Sequence, residues 1–111
     1  MHTKKIEHLG VPSVMMCNGL HGLRKQEGDH LGINESIETV CYPFASALAS
    51  SFDWKVMGRP VEALGQECQA EHVSMLLVPG LNIKRSLLCG RNFEYFSKDP
   101  YLAGEIGSAY M

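Results

Sequence analysis

Two short apolar runs along the chain predict buried strands. Residues 13–17 read Ser-Val-Met-Met-Cys before Asn18-Gly19, and residues 73–78 read Val-Ser-Met-Leu-Leu-Val before Pro79-Gly80. Nearly unbroken apolar runs of this length are typical of strands that are covered on both faces in a parallel sheet. We therefore expect two strands of such a sheet.

Helical patterns account for much of the remaining chain. Residues 44–49 predict a short helical turn after Pro43. A longer helix, capped by Ser51 or Asp53, is predicted to run to about Glu71. Its expected core positions are Val56, Met57, Leu64, Cys68 and either Val61 or Ala63. Asp99-Pro100 predicts an N-cap and a first helical residue for a final helix that reaches Met111.

Pro60 lies inside the pattern of the longer helix. A proline there removes one backbone donor and clashes with the preceding turn, at a cost of about 3 kcal/mol. We therefore expect a kink or an interruption near Arg59.

A long polar segment follows each predicted strand. Residues 19–40 and 81–98 are expected to form loops, and loops of this length in compact domains are usually functional or disordered. The order strand, loop, helix, strand, loop, helix predicts an α/β fold with a parallel sheet. Both loops leave the carboxyl end of a strand, which is where parallel α/β folds bind ligands.

Four polar residues of these loops are candidates for a binding site. Asn18, Arg24, Arg91 and Glu94 are expected to gather on one rim of the fold. In the alternative interpretation, Arg91 and Glu94 form an ion pair that only holds their own loop in place.

Composition restricts the class of protein. The chain has 111 residues, 45% hydrophobic and 20% charged, which is ordinary for one small globular domain. Its net charge of −2 (10 Lys+Arg against 12 Asp+Glu) lacks the broad positive field of a nucleic-acid binder. The uncharged stretch at residues 39–52 is too short to cross a bilayer, and residues 1–10 lack an apolar signal segment. We expect a cytoplasmic protein that binds neither nucleic acid nor membrane.

The spacing of cysteines and histidines does not indicate a metal site. Cys17, Cys41, Cys68 and Cys89 form no CxxC pair, and the five histidines show no ligand spacing. We expect reduced, mostly buried thiols and solvated or locally bonded histidines. No metal and no organic cofactor is expected.

Two motifs carry a resemblance to glycoside hydrolase family three. Residues 17–24, CNGLHGLR, resemble the family's DGPxGxR segment, and residues 82–104, NIKRSLLCGRNFEYFSKDPYLAG, are similar to its NIxRxPLxGRNFEYxSEDPxLxG segment. Residues 41–43, CYP, and 64–67, LGQE, stand where the family has CFP and LGxE. The resemblance covers the chain from about Val11 and is strongest to bacterial β-glucosidases.

This resemblance implies a fold and a ligand. It implies that residues 1–111 form a single incomplete amino-terminal domain, namely the first two to three βα units of a (β/α)8 barrel. The rim of that barrel would bind the terminal sugar of a β-glucoside, with Asn18, Arg24 and Arg91 at the sugar-binding positions. Asn18 stands in place of the family's aspartate, and Leu20, Leu87 and Lys98 are further departures from the motifs.

The resemblance also implies that no catalytic residue lies in this chain. A retaining glycosidase uses two carboxylates about 5–5.5 Å apart. In the family, the nucleophile lies on a later strand and the acid/base residue in a following domain. We expect a β-glucosidase-like hydrolase segment that is inactive alone and becomes active when a second chain completes the barrel. The alternatives are a non-catalytic carbohydrate-binding or interaction module and a truncated product without function.

Overall fold

The fold is a small parallel sheet flanked by helices. A computed structural model describes residues 1–26 and 36–111. Part of the predicted loop 19–40, with Gly28, His30 and Gly32, lies outside the described residues. The strands and α-helices are β1 (Met16–Asn18), α1 (Ala45–Ala49), α2 (Trp54–Ala70), β2 (Met75–Leu77) and α3 (Pro100–Tyr110). Short 3-10 turns lie at Glu7–Leu9 and Asn92–Glu94.

The two strands pair in parallel, as the α/β pattern predicts. Met16 lies opposite Met75, Cys17 opposite Leu76, and Asn18 opposite Leu77. Both strands therefore end at the same edge, and the loops that follow them start side by side. Each strand is shorter than its apolar run.

The prediction that the second strand is buried is wrong. Met75 and Leu77 are 49% and 40% exposed, and Leu76 is half-buried. The physical reason is that Met75 and Leu77 point to the same face of the sheet, and the described residues leave that face of β2 largely uncovered. The apolar run alone does not reveal what packs on each face of a strand.

Capping by aspartate fixes the start of both longer helices, as predicted. The Asp53 carboxylate accepts hydrogen bonds from the backbone N–H groups of Lys55 and Val56 at 2.9 and 3.4 Å. Asp99 accepts from the N–H groups of Tyr101 and Leu102 at 3.1 and 3.3 Å, with Pro100 in the first turn. These bonds satisfy amide donors that have no partner within the helix.

The predicted interruption near Arg59 does not occur, because α2 runs unbroken through Pro60. Met57 and Leu64, one turn before and after Pro60, are almost fully buried, and this packing holds the helix on both sides. The carbonyl that loses its donor belongs to Val56, which is exposed, so water can replace that donor. Val56 is therefore not the core position that the periodicity predicts.

Two clusters of buried side chains form the core. The first joins α1, α2 and α3 and contains Ala45, Leu48, Ala49, Met57, Phe96, Ile106 and Tyr110. The second packs β1 against α2 and contains Cys17, Leu23, Leu64, Cys68 and Val73. Leu23 and Phe96 belong to the two loops that leave the strands, so both loops are anchored in the core.

The cysteines are free thiols, and only half of them are buried. Cys17 and Cys68 lie in the core, whereas Cys41 and Cys89 are exposed, which corrects the expectation of mostly buried thiols. Burial raises the pKa of both core thiols. Within residues 1–26 and 36–111, no helix has the length and apolar character needed to span a bilayer.

Candidate functional site

A cavity of about 550 Å³ opens at the carboxyl ends of the two strands. One part of its wall is formed by the end of β1 with the turn after it (residues 18–24) and by residues 39–41 before α1. The other part is formed by the end of β2 with Pro79 and Gly80, and by the loop residues Arg91, Phe93 and Glu94. This volume lies within the range of about 300–1,000 Å³ that is typical of small-molecule sites.

The turn after β1 positions Asn18 and Arg24 side by side. Asn18 is the last residue of β1, and the backbone N–H of Arg24 donates to the Asn18 carbonyl at 2.9 Å. Leu23 is buried in the core immediately before Arg24, which leaves the exposed Arg24 side chain at the cavity. The turn therefore brings Arg24 back next to Asn18, and both residues line the same cavity.

Gly22 makes this turn possible. Its φ of +145° lies in a region that side-chain-bearing residues rarely adopt. A Cβ atom there would lie 2.3 Å from the Val40 carbonyl oxygen. In addition, the Tyr42 N–H donates to the His21 carbonyl at 2.7 Å. The turn at residues 21–22 and the segment at residues 40–42 are thus in backbone contact.

The second loop is held against the end of β2 and against α1. Gly80 forms a parallel bridge with Tyr95, and Tyr95 and Phe96 are buried. The Ser46 hydroxyl of α1 contacts the carbonyl oxygens of Asn92 and Tyr95 at 3.2 and 3.4 Å and accepts a hydrogen bond from the Lys84 ammonium group. These contacts fix the backbone that carries Arg91 and Glu94.

Arg91 and Glu94 form an ion pair at the cavity wall. The Glu94 Oε2 atom lies 2.6 Å from Arg91 Nε and 2.5 Å from Arg91 Nη2. The hydrogen bond and charge of Glu94 raise the pKa of the Arg91 guanidinium. The Arg91 side chain is nevertheless 65% exposed. The ion pair that the alternative interpretation predicts between Arg91 and Glu94 is therefore present. The same two residues also line the cavity.

His21 is a cavity residue that the sequence reasoning did not select. Both ring nitrogens, Nδ1 and Nε2, are buried and have no hydrogen-bond partner in the described structure. Its ring lies against Phe93, with 5.6 Å between the ring centroids. Burial lowers the pKa of His21 from its ordinary value of 6.5, and the Glu94 carboxylate opposes that shift. His21 is therefore neither solvated nor locally bonded, and no spacing signal in the sequence marks it.

The structure brings all four rim residues to one cavity. Asn18, Arg24, Arg91 and Glu94 line it together, as predicted from their positions after the two strands. Glu94 is the only carboxylate among the lining residues that the structure describes. No group of three His, Cys, Asp or Glu side chains in the described ranges could hold a metal ion. The cavity thus offers guanidinium and amide groups for hydrogen bonding.

Tyr42 connects the segment before α1 to α2. Its hydroxyl donates to Glu67 Oε1 at 2.8 Å. Glu67 Oε2 is buried without a hydrogen-bond partner in the described structure. Burial, followed by the hydrogen bond to Glu67, raises the pKa of Tyr42 from 10.0 to about 12. The protonated phenol is therefore the form that the fold favours.

The Tyr42 contact predicts a loss of stability at alkaline pH. The folded state binds the phenol proton more tightly than the unfolded chain, so the contribution of Tyr42 is complete below pH 10.0 and is lost as pH rises towards about 12. Urea unfolding at a series of pH values measures this decline, which Tyr42→Phe should reduce. Tyr101→Phe is the matched control, because Tyr101 is exposed. An equal decline in wild type and Tyr42→Phe would contradict the assignment.

Comparison with known proteins gives a consistent set of relatives. A thermostable β-glucosidase B of Acetivibrio thermocellus is 56% identical over 112 residues, covering 99% of this chain and 15% of that protein. An exo-α-(1→6)-L-arabinopyranosidase of Bifidobacterium longum is 43% identical over 106 residues, covering 93% of this chain and 14% of that protein. No family model matches the chain.

Solved structures agree with these relatives. β-Glucosidase 3B of Thermotoga neapolitana in complex with α-D-glucose aligns with a TM-score of 0.85 and 35% identity over 98% of this chain and 15% of that one. A GH3 β-glucosidase of Bifidobacterium adolescentis aligns with a TM-score of 0.83 and 40% identity over 98% and 15%.

The chain spans about one seventh of the length of these relatives, because it covers 14–15% of each of the four proteins. Within that span the match is nearly end to end and includes both motifs at the cavity. Over nearly its whole length, the chain is therefore similar to one segment of the β-glucosidases of glycoside hydrolase family three.

Proposed function

We propose that the cavity is part of the subsite that binds the terminal sugar of a β-glucoside. Asn18, Arg24 and Arg91 are the residues that hydrogen-bond the sugar hydroxyl groups. The observation that carries this proposal is their convergence on one cavity at the carboxyl ends of two parallel strands. The Thermotoga neapolitana relative, whose solved structure holds α-D-glucose, supports the choice of a glucose-like sugar.

The chemistry of the walls suits a pyranose ring. Guanidinium groups donate several hydrogen bonds in a fixed plane, and an amide both donates and accepts. Hydrogen bonds to charged groups contribute about 1.5–3 kcal/mol, against about 0.5–1.5 kcal/mol for neutral pairs. Phe93 adds a half-exposed aromatic ring to the same wall.

We further propose that this segment binds sugar without cleaving it. Retaining hydrolysis needs a nucleophile and an acid/base residue about 5–5.5 Å apart. Among the described cavity residues, Glu94 is the single carboxylate, and Arg91 already engages it. Hydrolysis of an aryl β-glucoside therefore requires groups from outside the described cavity, and the chain alone should show no turnover.

We propose in addition that the sheet is part of a larger barrel. The two described strands are the first strands of a (β/α)8 barrel, to which further strands are added. The exposure of Met75 and Leu77 on β2 supports this, since strands of a complete parallel sheet are covered on both faces. These strands come either from more of the same polypeptide or from a second chain that completes the barrel. Turnover on addition of a second chain would favour the split enzyme over a non-catalytic binding module.

Titration of the chain with glucose tests the proposed binding site. Arg91→Gln should weaken glucose binding about tenfold, because it removes charged hydrogen-bond donors. Arg85→Gln is the matched control, because Arg85 is exposed in the same loop and does not line the cavity. The proposal fails if glucose shows no saturable binding, or if both variants bind it as tightly as the wild type.

A further inference from the structure

Among the cavity-lining residues that the structure describes, positive and negative charges are not balanced. The described lining residues include two guanidinium groups, Arg24 and Arg91, and one carboxylate, Glu94. Glu94 is engaged by Arg91 through two contacts of 2.5–2.6 Å. Asn18 is uncharged. One positive charge, that of Arg24, therefore has no opposite charge beside it among the described lining residues.

Arg24 is the charged lining residue that forms no ion pair with a described residue. Its side chain is exposed, and its guanidinium has neither a hydrogen bond nor an ion pair with any residue in 1–26 or 36–111. Its backbone is nevertheless fixed by the 2.9 Å bond to the Asn18 carbonyl and by the buried Leu23. The free guanidinium is thus carried by an ordered turn and not by a loose loop.

Asn18 strengthens the preference for a negative ligand. Its side-chain amide lines the cavity and makes no hydrogen bond with a described residue, and its NH2 group is a donor that an aspartate would lack. A guanidinium beside an amide NH2 presents several donors to one ligand group. A carboxylate is a planar acceptor that can accept two parallel hydrogen bonds from a guanidinium.

We propose that the cavity selects a sugar that carries a carboxylate, namely a uronic acid unit, over the corresponding neutral sugar. Arg24 binds the carboxylate, and the Asn18 amide adds a further donor. The inference rests on the proposed function, because it concerns the substrate class of the same cavity. It adds the charge of the ligand, which the sugar-binding proposal leaves open.

Two ligands that differ only at C6, a carboxylate in one and a hydroxymethyl group in the other, test this inference. Methyl β-D-glucuronide and methyl β-D-glucoside are titrated into the wild-type chain at low ionic strength. We expect the glucuronide to bind about fivefold more tightly, because charged hydrogen bonds are stronger than neutral ones. Added salt should reduce this ratio, since Arg24 is exposed to solvent.

Three variants in the cavity and one control outside it assign the preference to named residues. Arg24→Gln should bring the ratio of the two affinities close to one, and Arg24→Lys should keep part of the preference. Asn18→Asp should lower the ratio of glucuronide affinity to glucoside affinity, because it places a second negative charge beside the ligand. Arg85→Gln, which removes a positive charge outside the cavity, should leave the ratio unchanged.

The outcomes separate this inference from the proposed function. Equal affinities for the two ligands in the wild type would overturn the inference and leave the sugar site intact. A preference that persists in Arg24→Gln would also overturn it, because the assigned residue would not cause it. Absence of saturable binding for both ligands would overturn the proposed function together with the inference. A salt-sensitive glucuronide preference that depends on Arg24 would support both.

Discussion

Gly22→Ala is expected to lower the free energy of unfolding by about 2–4 kcal/mol, through backbone strain and a steric clash. Gly22 has a φ of +145°, and an added Cβ would lie 2.3 Å from the Val40 carbonyl oxygen. Two segments of the cavity wall would have to separate to relieve that contact. The variant should therefore lose sugar binding as well as stability. Urea unfolding and glucose titration measure the two effects.

Gly65→Ala is the control for this substitution. Gly65 is exposed inside α2, and nothing lies within 4 Å of its Cβ position. The same chemical change there should stabilise the protein by about 0.5–1 kcal/mol, since alanine favours a helix interior. If both substitutions had effects of the same sign, the close contact of Gly22 with Val40 would not be the cause.

Ile106→Ala is expected to lower the free energy of unfolding by about 2–5 kcal/mol, as large-to-small substitutions in a core do. Ile106 on α3 has no exposed surface and packs in the cluster that contains Met57, Phe96 and Tyr110. Because Phe96 belongs to the loop that carries Arg91 and Glu94, loosening this cluster should also weaken sugar binding. Thermal unfolding followed by circular dichroism measures the loss of stability.

The neighbouring residue provides a matched control. Glu105 is exposed and precedes Ile106 in the same helix, so Glu105→Ala tests the helix without the core. Its effect on the free energy of unfolding should stay within about 0.5 kcal/mol. A loss of less than about 1 kcal/mol for Ile106→Ala would show that the first core cluster does not hold the fold together.

Local signals in the sequence predict much of the fold. Asp53 and Asp99 begin their helices because an aspartate before a periodic apolar stretch satisfies free amide donors. The parallel pairing of β1 and β2 follows from the alternation of strands and helices. The rim residues converge because both loops leave the same end of that sheet.

The remaining features depend on tertiary packing. Pro60 stays within α2 because Met57 and Leu64 are buried on either side of it, which outweighs the local cost of the proline. The exposure of Met75 reflects the lack of described residues packed on one face of β2, which an apolar run does not encode. The environment of His21 arises from Phe93, more than seventy positions away, and no local pattern reveals such a contact.

Mapping glucose onto the chain by amide NMR tests the sugar site most directly. If Asn18, Arg24 and Arg91 form a sugar subsite, glucose should shift the backbone resonances of residues 18–24 and 91–94 in a saturable way. The exposed residues of α2, such as Gln66, should not move. Saturable shifts confined to other parts of the chain, or no shifts at saturating glucose, would contradict a sugar site at the ends of the two strands.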